Sequence, residues 1–295
     1  MEGLSAGLAL EDRSLIVRVR LCRTWMRLGA LAIAGVVAAG CAPEPPAPPE
    51  TPTGNSLITA VAWKRTSAEY EALYHQGFNV ARMHVERRLE ERRAQKADPN
   101  IVPVAVIADL DDTVLDTRDY WRELIDAGID FFDDARWDAW VAKNRGRSNP
   151  GAFEFLTFCE SQKVEVFYIT SRDQGEQTMA IALKQLKDAS LPYADAEHLT
   201  VIKDSDKEPR QVAIKQKYDV VVLLGDNLND FRRYYYVTER DERRRRMEED
   251  AEQFGRKFIL FPNPTDGHWV RAIFGTSEPA ATPENRALLR NVAAR

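Results

Sequence analysis

The segment Asp109-Leu110-Asp111-Asp112-Thr113 sets two carboxylates two residues apart directly after an apolar run, residues 104–108. In extended backbone alternate side chains share one side, so Asp109 and Asp111 are expected to face the same space. Three further apolar runs end in chemistry of the same kind. Residues 164–169 lead into Thr170-Ser171-Arg172, residues 199–202 into a stretch holding Lys207 and Arg210, and residues 220–224 into Gly225-Asp226-Asn227-Leu228-Asn229-Asp230. Carboxylates gathered in one crevice repel one another unless a cation sits among them. Hard oxygen donors select Mg²⁺, which also takes a phosphate oxygen. A hydroxyl and an ammonium group suit the remaining phosphate oxygens. Together these residue types point to phosphoryl transfer.

Each piece has an ordinary reading on its own. Asp109–Asp112 could open a calcium loop, but that pattern requires Gly at its sixth position and Val114 stands there. Thr170-Ser171 could simply end a strand, Gly225-Asp226-Asn227 is common turn chemistry, and Lys207 could be a surface lysine. What the ordinary readings do not explain is their order, each placed at the end of an apolar run.

Those runs imply the scaffold. Residues 104–108, 164–169, 199–202, 220–224 and 258–261 are short, apolar and rich in β-branched side chains, as strands buried on both faces of a parallel sheet are. Helical stretches at 153–161, 174–188, 207–217 and 228–254 alternate with them and give repeated βαβ units. The fold class is therefore α/β, a doubly wound parallel sheet, in which ligands bind beyond the carboxyl ends of the strands. An N-terminal helix precedes it from Thr66 to about Ala94, with Thr66-Ser67-Ala68-Glu69 as a capping box. Residues from about 116 to 150, with Tyr120, Trp121, Phe131, Phe132, Trp137 and Trp140, break the rhythm and read as a small helical cap inserted after the first strand.

The N-terminus obeys different rules. Arg18, Arg20, Arg23 and Arg27 precede an apolar run from Leu28 to Ala39 that ends in Gly40-Cys41, the layout of an export signal over residues 1–40. The run is short for a spanning helix, which needs about 20 apolar residues. Ala38-Ala39-Gly40-Cys41 resembles a bacterial lipobox, with Cys41 as the lipidated residue and Ala38 where Leu, Val or Ile is usual. A plain cleaved signal is the alternative. Glu11 and Asp12 are foreign to such a leader, so Met26 is the expected true start. Residues 41–56 carry six of the 15 prolines and read as an extended tether. The folded domain spans 57–275, with 276–295 a C-terminal tail. An exported protein anchored by lipid to a bacterial membrane, the outer membrane or cell surface, is the expected localisation.

The net charge of -5 offers no electrostatic case for nucleic acid as a partner. The basic run Arg243–Arg246 lies among Asp241, Glu242, Glu248, Glu249 and Asp250, and reads as a solvated helix laced with ion pairs. Of three cysteines only Cys159 falls in the folded part, within an apolar helical stretch, so no disulfide framework is expected. Cys159 lacks the arginine six residues on that a cysteine phosphatase needs, and no Arg-His-Gly motif occurs. The four histidines stand in no metal spacing, which leaves a zinc site unsupported.

The four run ends resemble the motifs of the haloacid dehalogenase-like (HAD) superfamily, from Asp109 to Thr113, at Thr170, at Lys207 and from Gly225 to Asp230. The nearest resemblance is to bacterial class C acid phosphatases of the outer-membrane lipoprotein e type. It rests on residues 106–116 and 223–231, with further likeness at 68–74, 150–156 and 261–269, and covers roughly residues 60–275. The family commonly has Glu where Asp112 stands. The resemblance implies a Mg²⁺-dependent, broad-specificity phosphomonoesterase with some 5′-nucleotidase activity. It implies that Asp109 attacks phosphorus and that Asp111 protonates the leaving oxygen and then activates water. Thr170 and Lys207 would hold phosphoryl oxygens, and Asp109, the Asp111 carbonyl and Asp226, with Asp230 behind them, would hold the metal. Thr113, Ser171, Arg172 and Arg210 are the expected supporting residues, the two arginines orienting the acidic groups. Trp137 or Tyr120 of the cap could stack on a nucleobase or aromatic leaving group. The rival is a non-catalytic surface binding lipoprotein on the same scaffold. It predicts a missing nucleophile, acid or metal ligand, and all are present.

Overall fold

A computed structural model describes residues 54–94 and 102–294. The export leader, Cys41 and all but the last residues of the tether lie outside the described residues. Among those described, the helices are α1 (Leu57–Thr66), α2 (Ala68–Ala94), α3 (Arg118–Asp126), α4 (Asp134–Lys143), α5 (Ala152–Ser161), α6 (Thr178–Asp188), α7 (Glu208–Lys215), α8 (Arg240–Glu249), α9 (His268–Phe274) and α10 (Pro283–Ala293). The strands are β1 (Val104–Ala108), β2 (Glu165–Ser171), β3 (Leu199–Ile202), β4 (Asp219–Gly225) and β5 (Phe258–Leu260). They form one parallel sheet in the order β3-β2-β1-β4-β5. All five residues of β1 are buried, because β1 lies mid-sheet with helices on both faces.

Alternation along the strands divides the core in two. Val104, Val106, Ala108, Val166, Tyr168, Val222 and Leu224 pack with the apolar sides of α2, α5 and α6. Ala105, Ile107, Phe167, Ile169, Leu223 and Phe258 turn the other way, onto Ile214 of α7 and onto Phe231 and Tyr235. A third cluster forms where α1 meets the cap helices α3 and α4, with Val61, Tyr120, Trp121, Leu124, Trp137 and Trp140 buried together.

Three expectations need correction. The helix expected from Thr66 to about Ala94 is present as α2, and a separate helix, α1, precedes it, with Ser67 extended (ψ 133°) between the two. Ser67, not Thr66, caps α2, its Oγ accepting from the Tyr70 N–H at 3.1 Å, while the Thr66 hydroxyl donates back to the Ala62 carbonyl at 2.7 Å. The single helix expected over 228–254 is instead a run of short 3-10 turns around α8. Arg232 and Glu239 are extended, which lets Phe231 and Tyr235 fold back under the sheet. Within α8, Arg245 and Arg246 pair with Glu242 on the surface, but Arg243 turns inward and is buried. The third is the expected tail, which continues into α10. Its Arg286 pairs with the fully buried Asp130 carboxylate after α3, and Thr282 caps it by accepting from the Asn285 N–H.

At the β3 edge, His198 faces a carboxylate from each ring nitrogen, Asp195 at 2.8 Å and Glu165 at 2.9 Å. Only the imidazolium donates from both nitrogens. Burial pulls the His198 pKa down, yet the bonds to Asp195 and Glu165 outweigh it and hold the pKa above 6.5. A raised folded pKa contributes stability that is complete below the unfolded pKa and disappears as pH rises through the folded one. The melting-temperature gap between wild type and His198→Gln should therefore be wider at about pH 5.5 than at about pH 8.5. A gap that widened towards alkaline pH would contradict the assignment.

Candidate active site

Asp109 extends β1 by one residue, its N–H donating to the Leu224 carbonyl at 2.9 Å. The chain then turns tightly, with the N–H groups of Thr113, Val114 and Leu115 directed at the Leu110 carbonyl (3.3, 3.0 and 2.8 Å). Asp112 takes the left-handed conformation that closes this turn, with φ 54°. The turn separates three carboxylates. Asp109 sits on the floor of the cleft, Asp111 at its side, and Asp112 points inward.

Lys207, immediately before α7, bridges Asp109 Oδ1 and Asp230 Oδ1, the latter at 2.7 Å. All three side chains are buried. Asp230 reaches this place because the loop after β4 folds on itself. Asp230 Oδ2 accepts from the Asn227 N–H at 2.8 Å, closing a capping box on a 3-10 turn. Gly225 is required there, since a Cβ would lie 2.4 Å from that of Asp230. Asp226 at the end of β4 meets only uncharged donors among the described residues, the Thr113 hydroxyl at 3.2 Å and the Asn263 amide at 2.7 Å.

Asp111 is held from the β2 side. Arg172 grips its carboxylate with both arms, Nε to Oδ2 at 2.7 Å and Nη2 to Oδ1, and the Thr170 hydroxyl donates to Oδ2 at 3.2 Å. Arg172 is itself fixed by the Gln185 side-chain oxygen at 2.8 Å and lies 5.7 Å from the Trp137 ring. Bidentate pairing of this kind fixes orientation as well as charge.

The structure thus brings Asp109, Asp111, Thr113, Thr170, Arg172, Lys207, Asp226 and Asp230 together, and Ser171 reaches the rim of the same cleft of about 690 Å³. Arg210 is not among them. One turn along α7 it points away, and its Nη2 meets the Glu197 carbonyl at 3.5 Å, so it orients none of the acidic groups. Of the two cap aromatics, Trp137 lines the cleft with Phe132. Tyr120 is core, its hydroxyl bonded to the Asp133 backbone at both N–H and carbonyl.

Lys64 joins the site without any recognisable signal in the sequence. Asp112 pairs at 2.9 Å with Lys64 of α1, which is wholly buried. Lys64 also donates to Thr265 Oγ1 at 2.9 Å. The Asn263 amide bridges Asp112 Oδ2 (3.1 Å) and Asp226 Oδ2 (2.7 Å). A continuous chain thus runs from α1 to Asp226, and Asp112 is its hinge. Only the 261–269 stretch, noted above for its family likeness, pointed towards Asn263.

The electrostatics suit a divalent cation. One oxygen each of Asp109, Asp226 and Asp230 lies within 4.8 Å of the others. Burial lifts the Asp109 carboxyl to about 7, with Lys207 opposing and Asp230 and Asp111 reinforcing the rise. Burial, then Asp230 and Asp109, push Asp226 well above the carboxylate range. Burial opposes the Lys207 charge, but Asp109 and Asp230 hold its pKa above the usual lysine value. One ammonium does not neutralise three clustered carboxylates, two of them buried, and the donors are hard oxygens. The set fits a hard divalent cation, which Asp109 and Asp226 would hold, with Asp230, already serving Lys207 and the Asn227 N–H, behind them.

Comparison with known proteins identifies the family. The family model for the HAD superfamily, subfamily IIIB (acid phosphatase), matches residues 50–269. The chain belongs to this acid phosphatase family. It is similar to the class C acid phosphatase of Bacillus anthracis solved with tungstate bound, at 29% identity and a TM-score of 0.72, over 81% of this chain and 97% of that one. A second structure of the Bacillus anthracis class C acid phosphatase matches at 28% identity and a TM-score of 0.71, covering 81% and 96%. The protein is a phosphomonoesterase with a HAD-type α/β fold.

Proposed function

We propose that the protein is a Mg²⁺-dependent phosphomonoesterase acting through a phospho-Asp109 intermediate, and that 5′-nucleotides are among its substrates. The carrying observation is the placement of Asp109 against Lys207 on the floor of the cleft, with Asp111 oriented beside it. Asp109 Oδ attacks phosphorus as the ester P–O bond breaks, and Asp111 gives a proton to the departing oxygen. Water then attacks the phosphorus of the acyl phosphate and Asp111 takes its proton, releasing inorganic phosphate and restoring Asp109. Arg172 holds Asp111 in place for both proton transfers. Lys207 and Thr170 offer a cation and a hydroxyl to the phosphoryl oxygens. Asp109 and Asp226, backed by Asp230, would hold Mg²⁺, which when bound would supply positive charge to offset that of the phosphoryl group. Trp137 and Phe132 present aromatic surface to the leaving group, which supports the nucleotide reading.

The leader and Cys41 support an exported, lipid-tethered enzyme whose substrates are met outside the cytoplasm. The test is hydrolysis of nitrophenyl phosphate and of nucleoside 5′-monophosphates, after dialysis against a chelator and again with Mg²⁺ restored. Activity should vanish and return, and acid-quenched enzyme should carry hydroxylamine-labile phosphate on Asp109. An undiminished rate without metal, or phosphate on another residue, overturns the scheme.

A further inference from the structure

One wall of the cleft forms where the chain beyond the Asp226–Asp230 turn meets α9. Tyr236 stands between two arginines, with the Arg233 guanidinium 3.6 Å and that of Arg271 4.4 Å from its ring centroid. His268 packs edge-on against the same ring at 4.8 Å. Tyr236, His268 and Arg271 line the cleft that holds Asp109 and Lys207.

This cluster is charged and under-partnered. The neighbouring arginines Arg232 and Arg246 take Asp250 and Glu242, whereas the guanidinium groups of Arg233 and Arg271 form no ion pair among the described residues; Glu208 accepts from the Arg233 backbone N–H at 3.2 Å. Arg233 Nη1, Arg271 Nε and His268 Nδ1 are buried without a hydrogen-bond partner. Arg243 approaches from α8, but its fork is spent on Asn229, Asn227 and the Tyr235 carbonyl. Burial first, then Arg243, Arg271, Arg233 and Lys207 push the His268 pKa down to about 3. The other carboxylates of the cleft wall, Asp134, Asp138, Asp173, Asp266 and Glu278, form no ion pair with Arg233 or Arg271 among the described residues. An arrangement of cations around a concave wall, in a chain of net charge -5, is matched by an anion.

We infer that Arg271, braced on Tyr236 beside His268 and with Arg233 packed on the same ring adding charge, forms a second anion subsite that receives a carboxylate or a further phosphate borne by the leaving group of the phosphomonoester. The inference rests on the phosphomonoesterase reading and sharpens its substrate class. Arginine suits the role because its planar fork takes two anion oxygens while its face stays on the tyrosine. An anionic leaving group docked here keeps its ester phosphate over Asp109, and discrimination arises in binding.

The experiment compares matched substrates on the full-length protein. Glycerol 3-phosphate is set against 3-phosphoglycerate, and adenosine 5′-monophosphate against adenosine 3′,5′-bisphosphate, so that the two arms separate carboxylate from phosphate recognition. In Arg271→Met and Arg233→Met, the ratio of kcat/KM for the anionic member to that for its partner should fall by about tenfold to a hundredfold, the scale of a lost charge-assisted contact. The loss should lie in KM. Arg271→Lys, which keeps the charge without the fork, should recover part of it and guards against a folding defect in the methionine variants. Ratios within about twofold of wild type in both pairs, on the same scale, overturn the subsite. Absence of hydrolysis of all four compounds by wild type would instead overturn the phosphatase reading itself.

Discussion

Asp109→Asn is expected to lower kcat by about 10⁴-fold or more, the scale seen when a covalent nucleophile is removed. The amide has the shape of the carboxylate, so the change should be silent structurally. Lys207 keeps its second partner, Asp230, at 2.7 Å, and one of three mutually repelling carboxylates is gone. The variant should therefore fold with an unchanged circular dichroism spectrum and bind substrate without turning it over. Mass spectrometry of the peptide must show that the introduced amide has not deamidated, because reversion would restore the nucleophile. Full activity with an intact amide would sink the covalent mechanism.

Asp226→Asn has a more diagnostic pattern, because metal binding and fold stability move in opposite directions. Burial and two neighbouring carboxylates raise the Asp226 pKa. A carboxyl whose folded pKa exceeds its unfolded one costs stability at neutral pH. Removing the charge should therefore raise the melting temperature of the metal-free protein above that of metal-free wild type at about pH 7. Magnesium should then stabilise wild type by mass action and leave the variant almost unmoved, while kcat falls by about 10²–10³-fold, as for other lost electrostatic stabilisers. Calorimetric titration with Mg²⁺ checks the cause. Wild-type affinity in Asp226→Asn would remove Asp226 from the ligand set.

How much of this was legible in the sequence depends on how local each signal is. The strands could be read because a central parallel strand is buried on both faces and leaves a contiguous apolar run, as Val104–Ala108 does. The residues following each strand could be read with them, since a strand end fixes where the next side chains emerge. Arg172 and Arg210 show the limit. Arg172 directly follows β2 and reaches Asp111, whereas Arg210 rides one turn along α7 and is carried outward. The long helix over 228–254 failed because Arg232 and Glu239 take extended conformations that only packing of Phe231 and Tyr235 explains. Residues 276–295 looked like a tail because the partner of Arg286, Asp130, lies 156 residues earlier. Lys64, Asp112 and Asn263 are ordinary polar residues until α1 docks and makes them neighbours.

That docking has a bearing on how the molecule comes into being. Lys64 and Thr265 are 201 positions apart, so the bond between them closes nearly the whole domain into one loop. Long-range closures of this kind must meet their entropic cost before any contact repays it, and they form late. Asp109 meets Asp226 and Asp230 through the pairing of β4 with β1, whereas the closure adds Lys64 to Asp112 and Asn263 to Asp226. The acidic floor is thus built by neighbouring strands, and its clamp by the two ends of the domain, so a chain that holds Lys64 against both Asp112 and Thr265 has already brought those ends together.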